Sequence, residues 1–206
     1  ETSSAAAGSA EYLHEQGIPV AGWHVGVPAW STYENMFTFR QGTADEPEKE
    51  YTTRNADLLA KLGATKVALI GGQNQSSALF IERVKKSIEK IGELEVVYEN
   101  VAVPLDQRDF TAEAQQIEDS GADAVVTGMD LLQNAAISDA LGKAGAAMKA
   151  IVFPGGYDPR VTGLPGMEGA IFGIEFIPFE LNPPAFTEFD EWAPADGEAF
   201  VADIVR

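Results

Sequence analysis

The chain has 206 residues, and 45% of them are hydrophobic, which is enough to bury one or two cores. Lys and Arg number 14 and Asp and Glu number 32, giving a formal net charge of −18. Such a charge repels polyanions, so we expect no nucleic-acid partner. Cysteine is absent, which excludes disulfides and thiolate chemistry. No apolar run reaches the length needed to span a membrane.

The first 45 residues predict one short helix followed by two strands. Gly17 is a typical stop signal for the helix, and the strands are expected over 18–21 and 36–40. A loop rich in glycine and aromatic residues separates the strands. A polar stretch over 42–49 contains a proline and predicts a hinge or a domain boundary.

The clearest strand–turn–helix unit spans residues 66–91. Val67–Ile70 is a run of four apolar residues, which is typical of a strand buried on both faces of a parallel sheet. The Gly71–Gly72 pair predicts a sharp turn at the end of this strand. Ser76 or Ser77 can cap the helix that follows. Apolar residues recur in that helix every three or four positions, so it is amphipathic and packs on a sheet.

Similar units follow at a nearly constant spacing. Strands are predicted to begin at Val67, Val96, Ala124 and Ala150, which are 29, 28 and 26 residues apart. A period of about 30 residues is typical of one βα unit. Because βα crossovers are right-handed, the repeated unit predicts an α/β fold with a doubly wound parallel sheet.

Polar residues ahead of two later helices predict their caps. Either Asp109 or Thr111 can cap the first helix, and Asp130 can cap the second. A last strand is expected over 170–176. Prolines then mark an exit segment, and one or two terminal helices are expected over 186–206.

Ligands of open α/β sheets bind outside the carboxyl ends of the strands, where helix amino-termini point. The turn over 73–77, which contains Gln75 and Ser76, is therefore the first candidate for ligand contact. The main rival is an enzyme that holds a phosphate or nucleotide at this turn. It lacks the third glycine of the dinucleotide fingerprint and has no basic residue within 71–77. We find no nucleophile elbow, P-loop or metal-ligand spacing, and we predict no enzyme, metal or cofactor.

Seven segments in order cover almost the whole chain and carry a family likeness: Thr2-Ser3-Ser4 with its helix, 22–28, 35–40, 66–70 with its turn, 109–111, 121–126 and 166–171. Together they resemble the type I periplasmic binding proteins, and the nearest branch is the solute-binding subunits of branched-chain amino-acid ABC transporters. The resemblance implies doubly wound α/β lobes that close around a small solute.

The resemblance also implies a domain organisation. Residues 1–45 would be a partial first lobe, 46–176 a nearly complete second lobe, and 177–206 a return segment to the first lobe. We therefore expect a fragment of a longer protein. That protein would be periplasmic or extracellular, tethered to the membrane in its intact precursor, and would pass its solute to an ABC permease. The alternative is a ligand-sensing receptor or regulator domain of the same fold.

Two candidate sites lie in the first lobe. In the resembled family, the turn that matches Ser3 and Ser4 holds the solute's carboxylate, and donors at a helix amino-terminus do attract an anion. Plain helix capping is the alternative. Trp23 and His24 replace the small residues usual in the family. They predict a flat apolar wall and a titratable donor suited to a planar acid, with ordinary packing as the alternative.

The remaining candidates lie in the second lobe. Asp130 is either a helix cap or the partner of a ligand cation, and Tyr157 belongs to a loop after the strand that ends at residue 153. Asp158 is a turn residue unless this loop bends inward. By the resemblance, Ser76 replaces a Tyr, and Gly155 replaces a Glu that pairs with the solute's ammonium. We therefore expect a small organic acid in preference to a standard α-amino acid.

Overall fold

The computed structural model describes residues 3–22, 28–38 and 52–174, together with residues 178 and 181. Its elements, in chain order, are α1 (Ser3–Glu15), β1 (Val20–Gly22), α2 (Ala29–Thr32), β2 (Met36–Thr38), α3 (Arg54–Lys61), β3 (Lys66–Gly72), α4 (Gln75–Ile91), β4 (Glu95–Val103), α5 (Thr111–Asp119), β5 (Ala124–Gly128), α6 (Leu131–Ala144), β6 (Ala150–Phe153), a 3-10 helix (Pro159–Gly163) and β7 (Ile171–Phe172). Across these ranges, none of the helices has the length and apolar character needed to cross a membrane.

The large sheet has five strands in the order β4-β3-β5-β6-β7, and every neighbouring pair is parallel. Each strand from β3 to β5 is followed by a helix that returns the chain to the sheet's amino edge. The predicted doubly wound parallel sheet is therefore confirmed for the described part of residues 54–176.

Strand β3 lies between two apolar layers, one on each face of the sheet. Val67 and Leu69 belong to one buried cluster with α3 and α4, whereas Ala68 and Ile70 belong to another with α5 and α6. All four side chains are fully buried. An unbroken apolar run is the pattern that a strand covered by helices on both faces requires, and its prediction from sequence is confirmed.

Gly71 and Gly72 belong to a strand, so the prediction that they form a sharp turn was wrong. Strand β3 extends through Gly72, and β5 ends at Gly128. A methyl group on Gly71 or on Gly128 would lie 2.8 Å from Ser77 Oγ. The physical reason for glycine here is the close approach of α4 to the ends of two strands.

Two helix caps were predicted with different success. The N-cap of α4 is Asn74, whose Oδ1 accepts a 2.9 Å hydrogen bond from the Ser77 amide. The prediction of Ser76 or Ser77 was wrong, because the helix begins before both serines. Asp130 does cap α6, since its Oδ1 accepts a 2.8 Å hydrogen bond from the Gln133 amide.

At the start of α5, the two residues predicted as possible caps, Asp109 and Thr111, are hydrogen-bonded to each other. Phe110 occupies the N-cap position with its ring buried, and it makes no capping hydrogen bond because a phenyl side chain has no acceptor oxygen. Asp109 Oδ1 instead accepts from the Thr111 amide at 3.0 Å and from the Thr111 hydroxyl at 2.7 Å. These two hydrogen bonds hold the pKa of the exposed Asp109 carboxyl below its usual value.

A separate two-stranded parallel sheet is formed by β1 and β2. Strand β1 begins at Val20 and not at the predicted residue 18, because Ile18 still completes the end of α1. The amide of Ile18 donates to Leu13 O at 2.9 Å. Gly17, which has a φ of 63°, makes the turn between the helix and Ile18. Strand β2 begins at Met36 as predicted, and residues 39–40 lie outside the described residues.

The last predicted strand, 170–176, is present as β7, Ile171–Phe172. The amide of Gly173 continues the pairing by donating to Phe153 O at 2.8 Å. Residues 175–177 and the terminal helices expected over 186–206 lie outside the described residues.

A carboxylate joins three strands at the amino edge of the large sheet. Asp123 Oδ1 accepts from the amides of Thr65 and Lys66, both at 2.9 Å, and Oδ2 accepts from Lys149 Nζ at 2.8 Å. Partial burial raises the pKa of Asp123, but these hydrogen bonds outweigh burial and hold the pKa well below its usual range. This network fixes the starts of β3, β5 and β6, far from the carboxyl edge where ligands bind.

Candidate functional site

The candidate site lies where β3, β5 and β6 end, since these three neighbouring strands carry their turns on one edge of the sheet. After β3, Gln75 and Ser76 occupy the first turn of α4; Gln75 is exposed and Ser76 half-buried. Two of the predicted residues are thus at a helix amino-terminus that faces the carboxyl edge. The dipole of this 17-residue helix favours negative charge there.

The turns after β3 and β5 are joined directly. The buried Ser77 hydroxyl donates a hydrogen bond to the carbonyl of Gly128. In the turn after β3, the amide of Gln73 donates to Val103 O at 2.7 Å, which ties the same turn to the end of β4. The ends of β3, β4 and β5 therefore form one hydrogen-bonded unit at the carboxyl edge.

Three buried polar side chains, on β5 and α6, hold this unit in place through hydrogen bonds. Thr127 Oγ1 donates to Asn134 Oδ1 at 2.6 Å, and Asn134 Nδ2 donates to the Met129 carbonyl at 3.3 Å. Gln133 Nε2 donates to the Pro104 carbonyl at 2.8 Å, so α6 also holds the loop after β4. Thr127, Gln133 and Asn134 are at most 1% exposed, and such satisfied buried networks make a surface rigid.

Asp130 caps α6 with one oxygen and leaves the other at the surface. Its side chain is 49% exposed, and Oδ2 lies 3.9 Å from Nη2 of Arg108. The structure thus confirms the capping role. Contact with a ligand cation stays a prediction.

The loop after β6 contains Tyr157 and Asp158, both half-buried. Asp158 caps the 3-10 helix and is held by Arg160, whose Nε and Nη2 donate to its oxygens at 2.8 Å and 2.7 Å. The side-chain and main-chain hydrogen bonds from Arg160 lower the pKa of Asp158 to about 2. Asp158 is therefore already paired with a cation.

Two glycines in the same loop have different surroundings. A methyl group on Gly155 would have nothing within 4 Å, so this position opens into free space. Gly156 has a φ of 106°, and a methyl group there would lie 3.3 Å from both Leu131 and Phe172. The chain can therefore accept a side chain at Gly155 but not at Gly156.

The structure does not place the side chains of the four candidates near the amino-terminus, Ser3, Ser4, Trp23 and His24. Ser3 and Ser4 begin α1, but their side chains lie outside the described part of the structure. Trp23 and His24 lie outside the described residues altogether. Their contacts with a ligand therefore stay predictions.

Two further residues of this edge, Arg108 and Gln133, were not predicted from the sequence. Arg108 lies in the loop after β4 and faces Asp130, and Gln133 is the buried residue that holds this loop. A signal for Arg108 was present, because it is the one basic residue between β4 and α5 in a strongly acidic chain. Gln133 gave no such signal, since its long-range hydrogen bond depends on the folded sheet.

Two grooves lie on the flanks of the large sheet. One, of about 570 Å³, runs between α3 and the end of β7, and the other, of about 470 Å³, runs between α5 and α6. Neither is lined by the predicted residues of the carboxyl edge. Among the described residues, no group of three His, Cys, Asp or Glu side chains could hold a metal ion.

The fold and this edge define a class: a doubly wound α/β lobe that presents polar turns and helix amino-termini to a small ligand. A family model described as "Periplasmic binding protein" matches residues 1–204. The chain therefore belongs to the periplasmic binding protein family, and the resemblance stated from sequence is confirmed. Among curated proteins, none matches the chain.

Solved structures of similar fold include an ABC-transporter solute-binding protein from R. palustris in complex with 4-hydroxybenzoate. It is 22% identical with a TM-score of 0.60, over 72% of this chain and 40% of that one. A putative branched-chain amino acid ABC transporter protein from Rhodospirillum rubrum is 20% identical with a TM-score of 0.64. The match covers 98% of this chain and 58% of that one. A fatty acid ABC transporter substrate-binding protein from Thermomonospora curvata is 15% identical with a TM-score of 0.71. The match covers 93% of this chain and 50% of that one. The chain thus spans about half the length of these proteins.

Proposed function

We propose that this chain is part of a solute-binding protein of an ABC importer, which closes two lobes over a small organic acid with an apolar or aromatic body. It would act outside the cytoplasm, pass the solute to a membrane permease and catalyse no reaction. Residues 1–45 and 177–206 would belong to the first lobe and 46–176 to the second. The presence of two separate sheets, β1–β2 and β3–β7, supports this division.

The choice of an acid over an amino acid depends on one observation, that neither position 155 nor position 158 in the described loop after β6 offers an available carboxylate. Gly155 carries no side chain, and Asp158 is occupied by Arg160. A zwitterionic solute would leave its ammonium unpaired in a largely dehydrated cleft, which costs several kcal/mol. Asp130 is a poorer partner for an ammonium, because the Arg108 cation lies 3.9 Å away.

Apolar groups beside the polar turns support an apolar or aromatic body. Leu105 and Leu132 are 56% and 52% exposed in the loop after β4 and in the first turn of α6. Trp23 would add an aromatic wall from the first lobe. The R. palustris protein of similar fold was solved with 4-hydroxybenzoate, which is a solute of this kind.

Calorimetry on the full-length protein tests the proposal. Benzoate, 4-hydroxybenzoate, aliphatic carboxylates and leucine would be titrated separately at neutral pH. We expect at least one carboxylate without an ammonium group to bind at least tenfold more tightly than leucine, a difference of about 1.4 kcal/mol. Micromolar binding of leucine, with no measurable binding of any simple acid, would contradict the proposal. It would point to Asp130 or Asp158 as the ammonium's partner.

Replacing Gly155 with glutamate is a sharper test, because the open space at this position accepts the new side chain. The variant is expected to gain affinity for leucine and lose affinity for simple acids, since the added carboxylate attracts an ammonium and repels an anion. Gly142→Glu, which is also unobstructed and lies eleven residues along α6 from its start, is the matched control. A preference that is unchanged by Gly155→Glu would place this position outside the binding cleft.

A further inference from the structure

Arg108 and Asp130 face each other across a gap at the carboxyl edge of the large sheet. The nearest atoms, Arg108 Nη2 and Asp130 Oδ2, are 3.9 Å apart, which is too far for a hydrogen bond. Each side chain is 49% exposed, so a ligand can reach both. The pair therefore presents a donor and an acceptor that do not satisfy each other.

Both groups are held in place by their own neighbours. Arg108 Nη1 donates to the carbonyls of Leu105 and Gln107 at 3.1 Å and 2.7 Å, which fixes one side of the guanidinium. Asp130 is fixed through Oδ1 by its capping hydrogen bond with Gln133. Gln133 also holds the loop of Arg108 through the Pro104 carbonyl. A ligand would meet a preorganised pair, and little side-chain entropy would be lost on binding.

Arg108 retains unused donors. No hydrogen bond from its Nε or Nη2 joins it to another described residue. The other arginine near these turns, Arg160, is bound to Asp158. Within the part of this edge that the structure describes, Arg108 is therefore the available cation, and the exposed Leu105 and Leu132 lie in the same two elements as the pair.

We propose that Arg108 and Asp130 jointly bind a hydroxyl group of the solute, which accepts from the guanidinium and donates to the carboxylate. An oxygen about 2.8 Å from each atom fits a gap of 3.9 Å. An ammonium is disfavoured by Arg108 and a second carboxylate by Asp130, whereas a neutral hydroxyl suits both. The inference rests on the proposed function and deepens it: the solute is a hydroxylated organic acid.

The test compares benzoate with its 3- and 4-hydroxylated forms by calorimetry on the full-length protein. We expect at least one hydroxylated acid to bind about tenfold more tightly than benzoate. In Arg108→Met and in Asp130→Asn this ratio is expected to fall towards one. Asparagine also caps helices, so Asp130→Asn retains the start of α6. Lys143→Met, which removes a cation from the other end of α6, is the control and should keep the ratio.

The outcomes separate this inference from the function on which it rests. Equal binding of benzoate and both hydroxylated acids by the unmodified protein, or a ratio that both variants retain, overturns the inference alone; the gap is then an ordinary solvated ion pair. Failure of every simple acid to bind, with leucine binding, overturns the proposed function and this inference together. Thermal unfolding of each variant verifies that it is folded.

Discussion

Changing Asp123 to asparagine is expected to destabilise the fold by about 2 kcal/mol at neutral pH. Both oxygens accept from donors: Oδ1 from the amides of Thr65 and Lys66, and Oδ2 from Lys149 and from the Thr65 hydroxyl. An asparagine in either orientation therefore places its NH₂ group against an N–H donor. It also removes the negative charge that pairs with Lys149.

The magnitude follows from the exposure of these groups. Hydrogen bonds to a charged group contribute about 1.5–3 kcal/mol each when they are buried. Asp123 is only 18% exposed, but Lys149 is 47% exposed and Thr65 and Lys66 lie at the surface. Water can replace part of each lost interaction, so the total stays near the value of one buried bond.

The effect has a defined pH dependence. The pKa of Asp123 is lower in the folded protein than in the unfolded chain, where it is about 3.9. The stabilisation is therefore fully present above the unfolded pKa and is lost as the pH falls through the folded one. We expect the stability difference between the unmodified protein and Asp123→Asn to shrink progressively below about pH 4.

Urea unfolding between pH 7 and pH 3 measures this difference. Asp139→Asn is the matched control, because Asp139 forms a surface ion pair with Lys143 at 2.5 Å within α6. Such pairs contribute about 0.3–0.5 kcal/mol. The reasoning is refuted if both variants lose the same stability, or if the Asp123→Asn difference persists unchanged at low pH.

Three further predictions concern other parts of the molecule. Trp23→Ala is expected to weaken binding of an aromatic acid about tenfold by calorimetry; unchanged affinity would remove Trp23 from the cleft. Gly128→Ala places a methyl group 2.8 Å from Ser77 Oγ and should cost about 1–3 kcal/mol in denaturant unfolding. Combining it with Ser77→Ala should cost less than the sum of the single changes, and strict additivity would contradict the contact. Amides of β1 and β2, a sheet of two described strands, should exchange faster than those of β3 in a monomer; equal protection would oppose this view.

The parts of the fold that sequence predicts are those set by local pattern. Val67–Ile70 is apolar at every position, which is the pattern typical of a strand between two layers of helices, and its side chains do pack on both layers. Asp130 is the single polar residue between β5 and the apolar start of α6, so its capping role had little competition. Five successive polar residues, 73–77, follow β3 and continue into the first turn of α4, and several of them could cap equally well. Local chemistry alone could not choose Asn74.

The parts of the site that sequence does not predict depend on contacts between distant positions. Ser77 and Gly128 are 51 residues apart, and neither their hydrogen bond nor the strand position of the glycine follows from the local sequence. Arg108 becomes notable only when the sheet brings its loop to within 3.9 Å of Asp130. The sequence position of Asp158 is compatible with ligand binding, but its pairing with Arg160 is seen only in the folded loop.

The hydroxyl of Ser77 has a consequence for how related sequences can diverge. It occupies the space in which side chains at Gly71 and Gly128 would lie. A homologue with a larger residue at position 71 or 128 must therefore have a smaller residue at position 77, so the turns after β3 and β5 are expected to evolve as a coupled pair. Gly155 is under no such constraint. Divergence in solute preference is then expected to accumulate first in the turn after β6.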